Sequence, residues 1–352
     1  MFLAEHVARW NARKSDEGWR LSEHELASRV DPIGAINLGC VKLHFWSARD
    51  MPWGKYDERS AYVSILEDPD AVERWRKNSD EVYEADYYLK GHIPNELAII
   101  MTALTRCHFV YRRSLKSSDT PVMMQFSDAS LARGPFDGTQ VNLKELQPRL
   151  ERLLAMASKD RSRASRFMLA ARFYHLALPL LDEDVDLAYL FLTSSIEPLL
   201  YGYNPKNYGV AEANAELAAV LHQKLDAEGF AQVEAAFLQH APKVRARFVE
   251  FIQEYLPESY WDDPTRPTPG AGQMRREDLA MYLKRIYDAR SKLVHEGEPL
   301  PPQMRFDSET PHGLAVMAGH KKWDRTEMLP HSRTFERMVH HVLMSYVDRH
   351  AG

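Results

Sequence analysis

The segment Arg285-Ile-Tyr-Asp-Ala-Arg-Ser-Lys-Leu-Val-His-Glu-Gly297 decides how the C-terminal half of this chain folds. It closes an apolar stripe of Leu279, Tyr282, Leu283, Ile286 and Leu293, which recur at helical steps of three, four and seven. The spacing predicts a helix from about Arg276 to Val294 that stops near Gly297, a residue suited to the left-handed position after a helix. Arg290 falls four residues after Ile286 and three before Leu293, so it lies on the stripe. An arginine there must be paired or must face a cleft. Glu197, flanked in sequence by Leu190, Ile196 and Leu200, is the natural partner for a structural salt bridge. His295 stands about 140° from Arg290 on an ideal helix. The two share a face only if the helix ends between them, and Glu296-Gly297 predicts that it does. An arginine fork for anionic oxygens and a histidine for proton exchange, held at a helix end, suit a phosphate diester.

Working outward, the pattern is helical from about residue 141. Leu143 to Met156 is amphipathic, and Arg163 to Leu180 follows. Asp182-Glu-Asp-Val-Asp186 precedes Leu187-Ala-Tyr-Leu-Phe-Leu and reads as a helix N-terminus, where carboxylates cap free N–H groups. A metal site is the sharper reading of that run, but capping explains its position. That helix runs to about Leu200 and is interrupted at Gly202 and Pro205. Residues 211 to 256 are further helix, Pro264 to Gly272 a loop, residues 298 to 330 mostly loop, and Arg333 to Arg349 a final helix. Residues 1 to about 140 are mixed. Ala35 to Phe45 alternates in part and reads as a strand, Met51 to Gly54 as a turn, and Pro121 to Phe126 as a short strand. Pro94 opens a helix that carries Leu97, Ile100, Met101 and Leu104 towards Tyr111. The expected division is therefore an N-terminal α+β region, 1–140, and a helical domain, 141–352.

Composition bounds the function. The chain has 352 residues, 45% hydrophobic and 27% charged, an ordinary globular balance. No run approaches the ~20 apolar residues of a membrane span, and the opening residues make a poor signal peptide. Cys40 and Cys107 are the two cysteines, too few for a disulfide scaffold or a Cys-rich zinc module. These features point to the cytoplasm. A formal net charge of −5 argues against a surface coated for duplex nucleic acid, and leaves room for a small basic cleft that takes a short single strand.

Arg290-Ser-Lys-Leu-Val-His295 fits the R-x4-H motif of HEPN domains, and Tyr287 to Gly297 resembles the Apea-like branch of that superfamily. The helix Leu187 to Leu200 resembles that branch's earlier helix, with Glu197 at its acidic position. The resemblance covers roughly residues 160 to 350. It implies a mainly α fold with a C-terminal HEPN-type helical bundle, commonly a homodimer in which two motifs face each other. It also implies a metal-independent endoribonuclease without a cofactor, acting on RNA in phage defence or toxin-like regulation, with a defence-system protein as a possible partner. Some members of the superfamily are instead non-catalytic interaction or RNA-binding modules. Active members often carry Asn, Asp or His directly after the motif arginine, where this chain has Ser291.

On this reading Arg290 and His295 are catalytic. Glu197 orients Arg290, and Ser291 and Lys292 contact phosphate. One histidine cannot readily serve as base and acid on opposite sides of an in-line displacement, so a homodimer or larger even oligomer is expected. Two basic segments are secondary candidates for RNA contact. Arg106, Arg112, Arg113 and Lys116 flank Phe109 and Tyr111, and Arg163 and Arg166 open the bundle beside Lys159 and Arg161. For each, a solvated helix end is the more ordinary reading. His340 and His341 are adjacent, point to different helix faces and make a poor metal pair.

Overall fold

The computed structural model describes residues 2–13, 18–45, 59–67, 93–116, 140–205, 209–240, 244–262, 274–301, 304 and 329–351. The segments read above as Met51–Gly54, Pro121–Phe126 and Pro264–Gly272, and most of 298–330, lie outside them. The described fold is mainly helical with a small sheet.

The chain divides into two compact units. Met1–Pro198 together with Phe335–Gly352 forms the first, and Leu199–Thr334 the second. The boundary expected at residue 140 is therefore not where the chain divides. Helices read as part of the C-terminal domain pack in the first unit with the sheet, because long-range contacts override sequence order.

In the first unit, α1 (Phe2–Arg13) precedes β1 (Arg20–Ser28), β2 (Asp31–Ile33), β3 (Ala35–Asn37), β4 (Val41–Phe45) and β5 (Arg59–Glu67). Then come α2 (Ile93–Thr105), β6 (Val110–Lys116) and β7 (Gln140–Asn142). The strands form an antiparallel sheet in the order β3-β4-β5-β1-β6, with β2 and β7 as a separate parallel pair. One sheet face is apolar, as alternation demands: Ile36 pairs with Leu43, Leu43 with Val63 and Val41 with Ile65, all buried.

The expected single strand Ala35 to Phe45 is in fact a hairpin. The Leu38 N–H bonds the Val41 carbonyl at 2.9 Å, leaving Gly39 and Cys40 as the turn. Gly39 has φ 80°, and a Cβ there would lie 2.5 Å from Nε1 of Trp10. Glycine at the first turn position is what a tight hairpin of this kind requires. Helix α2 is buried from Glu96 to Thr105, as its nearly continuous apolar sequence demands. It packs on the sheet and on the helices that follow.

Those helices are α3 (Leu143–Lys159), α4 (Arg161–Ala177) and α5 (Val185–Ile196). Their caps are written locally. Asn142 accepts from the Lys144 N–H, Asp160 from Arg163 and Asp184 from Leu187, so the acidic run at 182–186 does cap a helix. Helix α5 ends at Ile196, and a 3₁₀ turn, Glu197–Leu200, follows it. The last helix of the chain belongs to this unit from Phe335 onward. Phe335 lies 5.1 Å from Tyr189, ring to ring, and Asp348 ion-pairs with Arg152 at 2.6 Å.

In the second unit, α6 (Val210–Ala213), α7 (Ala215–Lys224), α8 (Ala227–His240), α9 (Val244–Tyr255) and α10 (Ser259–Asp262) lead to α11 (Leu279–Glu296). The final helix, α12 (Ser332–His350), begins at this unit's edge. Helices α9 and α11 pack together through Phe248 and Tyr287, with ring centroids 5.4 Å apart. Leu279, Tyr282, Leu283 and Ile286 are buried, so the expected stripe forms the core face of α11, while Leu293 is half-buried.

Candidate functional site

The R-x4-H segment occupies the last two turns of α11. The helix remains regular to Glu296, and Gly297 takes the left-handed conformation at φ 68°. The carbonyl of Lys292 accepts from the N–H groups of Gly297 and Glu298. The glycine stop is where the sequence puts it. The expectation that the helix ends between Arg290 and His295 is corrected, because His295 is still helical. The two side chains therefore leave the helix about 140° apart. Arg290 is half-buried and His295 is exposed.

Arg290 rests on an aromatic ring of its own helix. Its guanidinium carbon lies over the Tyr287 ring, 5.9 Å from the centroid, at the outer range of a cation–π contact. Tyr287 is in turn backed by Phe248 of α9. One residue along, Asp288 receives both hydrogen bonds of the Arg245 Nη1, at 2.9 and 3.2 Å. Ser291 is half-buried beside the arginine. Lys292 is exposed and holds Glu298 at 3.3 Å, so its ammonium already has an anionic neighbour. Glu197 belongs to the first unit and Arg290 to the second, so their pairing stays a proposal.

The first basic candidate segment is not a helix end. Helix α2 stops at Thr105, Arg106 takes φ 61°, and the chain continues as strand β6. Arg106 is 7% exposed, and its fork is spent on Glu336: Nε donates to Oε1 at 3.0 Å and Nη2 to Oε2 at 2.6 Å. A guanidinium enclosed in this way is not available to track RNA, and Arg106 is a core residue instead. Arg112, Arg113 and Lys116 lie on β6, with Arg113 opposite Glu25 and Lys116 opposite Glu23 in register on β1. In the second segment, Arg163 sits near its own cap residue Asp160 at 3.6 Å and reaches His350 at 3.2 Å. Arg166 donates to Ser162 at 3.0 Å, and Arg161 pairs with Glu5 at 2.8 Å. This segment is a surface laced with local contacts.

Sequence reading missed the polar cluster inside the first unit. The Tyr174 hydroxyl donates to Glu336 Oε1, and burial together with that carboxylate raises its pKa well above the ordinary phenol range. Burial and the nearby Arg106 charge hold His340 well below the usual imidazole value. Also buried in this unit, the His108 and His175 rings meet at a tilt of 51°, with centroids 4.6 Å apart. Burial lowers His108 to about 3 and His175 to about 4, so both are neutral at pH 7. Thr102 Oγ1 donates to the Ala98 carbonyl and accepts from the Phe109 N–H, and it lies 3.0 Å from His175 Nδ1. With its proton committed, that hydroxyl can only accept from His175, which fixes the tautomer as Nδ1–H. One signal was available: Glu336 stands three before Val339 and seven before Leu343, on an apolar face where an acid needs a buried partner.

Among the described residues, no group of three or more His, Cys, Asp or Glu is placed to hold a metal ion. None of the described helices is long and apolar enough to cross a membrane. Compared with protein-family models, curated proteins and solved structures, the chain matches none.

Proposed function

We propose that this chain is a metal-independent endoribonuclease of HEPN type, working as a homodimer in phage defence or toxin-like regulation. The observation that carries the reading is α11 itself. A half-buried arginine over the Tyr287 ring and an exposed histidine occupy the last two turns of one glycine-capped helix. The arginine is half-shielded, which strengthens its hold on phosphoryl oxygens. The histidine is exposed, so its ring can reach a ribose hydroxyl as a general base.

In the proposed reaction His295 removes the proton of a ribose 2′-hydroxyl, whose oxygen attacks the adjacent phosphorus. Arg290 stabilises the charge that gathers on the phosphoryl oxygens. The 5′-oxygen leaves with a proton from the His295 of a second copy. The angle of about 140° between the two side chains favours this composite arrangement, since one copy does not readily aim both at the same phosphate. Glu197 orients Arg290 in this scheme, and Ser291 contributes a hydroxyl to the phosphate. Cleavage should leave a 2′,3′-cyclic phosphate and a 5′-hydroxyl, and should persist in EDTA. Fragment ends carrying a 3′-hydroxyl and a 5′-phosphate, or loss of cutting on chelation, would overturn this chemistry.

The second reading is a non-catalytic interaction module. Its support is the same divergence of Arg290 and His295, together with Ser291 in the position after the motif arginine. A wild-type protein that binds RNA without cutting it would favour this reading.

A further inference from the structure

Helices α7 and α8 form a hairpin with almost no core of its own. Across residues 214–236 the one buried side chain is Ala218. The His222 and Phe230 rings stack 3.8 Å apart, and Leu221 and Leu225 are half-buried, so this side of α7 faces α8. Isolated helices shorter than about 12–15 residues are marginal in water, and α7 has 10 residues. Yet Leu217 is 44% exposed and Val220 51% exposed.

The outward side of α7 has a definite pattern. Glu216, Val220 and Lys224 follow one another at steps of four, on one line along the helix, with Leu217 beside them. Glu216 and Lys224 are the only Asp, Glu, Lys or Arg residues of α7, and they stand at its two ends, equally far from Val220. We propose that this side of α7 is a twofold contact between two copies of the chain, running antiparallel with the axis at Val220. Each Glu216 then meets the partner's Lys224, the two Val220 side chains meet at the centre, and the Leu217 side chains flank them. A twofold interface must be self-complementary, and a neutral helix with opposite charges at equal distances from an apolar centre meets that condition. The acidic surplus of the surrounding residues, Glu212, Asp226, Glu228 and Glu234, lies outside α7. The ribonuclease reading also calls for a second copy; the contact proposed here is argued from α7. Its variants leave Arg290 and His295 in place, so a dimer indifferent to Val220→Glu counts against this contact and not against that reading.

The test is sedimentation equilibrium of the full chain, with circular dichroism to confirm folding. The wild type should be a dimer at micromolar concentration. Val220→Glu should be a folded monomer, since the site is exposed and bears no load within one copy. Glu216→Lys and Lys224→Glu should each weaken the dimer several-fold by setting like charges together. The double exchange Glu216→Lys with Lys224→Glu should restore it. A wild type still monomeric at about 100 µM, or a dimer indifferent to Val220→Glu, would overturn the proposal, as would a double exchange no better than the single variants.

Discussion

Arg106 and Arg290 each stand near the C-terminal end of a helix, and they sit in different surroundings. Arg106, in the first unit, is buried in a left-handed backbone conformation, and Glu336 takes its fork in two hydrogen bonds. Arg290, in the second unit, is half-buried over an aromatic ring three residues earlier. The first is a structural charge, whose desolvation is offset by a carboxylate 230 residues away in sequence. The second is only half-buried and lies over the Tyr287 ring on the last turns of its helix. A buried arginine alone therefore says little about function; the partner decides.

The comparison breaks most visibly if Glu336 is truncated. Glu336→Ala leaves the Arg106 charge buried without its carboxylate and should cost about 3–5 kcal/mol of stability. Arg290 is half-buried where Glu336 is fully enclosed, so Arg290→Leu should cost less than Glu336→Ala. Urea denaturation of the two variants side by side checks this, and equal losses would end the distinction. The double variant Arg106→Met with Glu336→Leu should recover much of the lost stability, since both charges then go together.

Acid sharpens the same contrast. His108 and His175 have folded pKa values of about 3 and about 4, below the 6.5 of the free side chain, because burial disfavours their charged forms. The unfolded chain therefore binds more protons than the folded one as pH falls from about 6.5 towards 4. Stability should be full above about 6.5 and should decline steadily below it. Replacing the ring in His175→Gln should flatten that decline, and midpoints measured from pH 7 to pH 4.5 provide the readout. An unchanged slope would place these rings in water.

The local devices give the smaller effects. Gly39→Ala has both a positive φ and the Trp10 indole against it, and should cost about 1–3 kcal/mol. Asp184→Ala removes the cap of α5 and should cost about 1 kcal/mol. Thermal melts of the two variants should keep that order.

The features legible in the sequence were those set by neighbours along the chain. The helices from Leu143 to Ile196, the cap at Asp184, the core stripe of α11 and its stop at Gly297 all follow from local spacing and end chemistry. Ala35 to Phe45 was misread because its alternation runs through a two-residue turn, so that only Gly39 marks the hairpin. The stretch after Leu104 looked like a solvated helix end because Glu336, which makes Arg106 a core residue, lies in the last helix. The division into units was hidden for the same reason: α12 returns its residues from Phe335 onward to the first unit. At the candidate site the sequence supplied Arg290, His295 and the glycine stop. It did not show that the helix persists through His295, since the energetic margin between one further turn and an earlier stop is small.

The central claim is that His295 and Arg290 cleave RNA, and the most direct measurement is the initial rate of RNA cleavage in EDTA by folded wild type and by His295→Ala. The exposed ring can be removed without disturbing the core, so the variant should keep its fold and its oligomeric state. Its rate should fall by about 10² or more, the usual scale for one general acid–base group. Cleavage by His295→Ala equal to wild type, or no cleavage by wild type across RNA substrates, would contradict the ribonuclease account and leave the interaction module in its place.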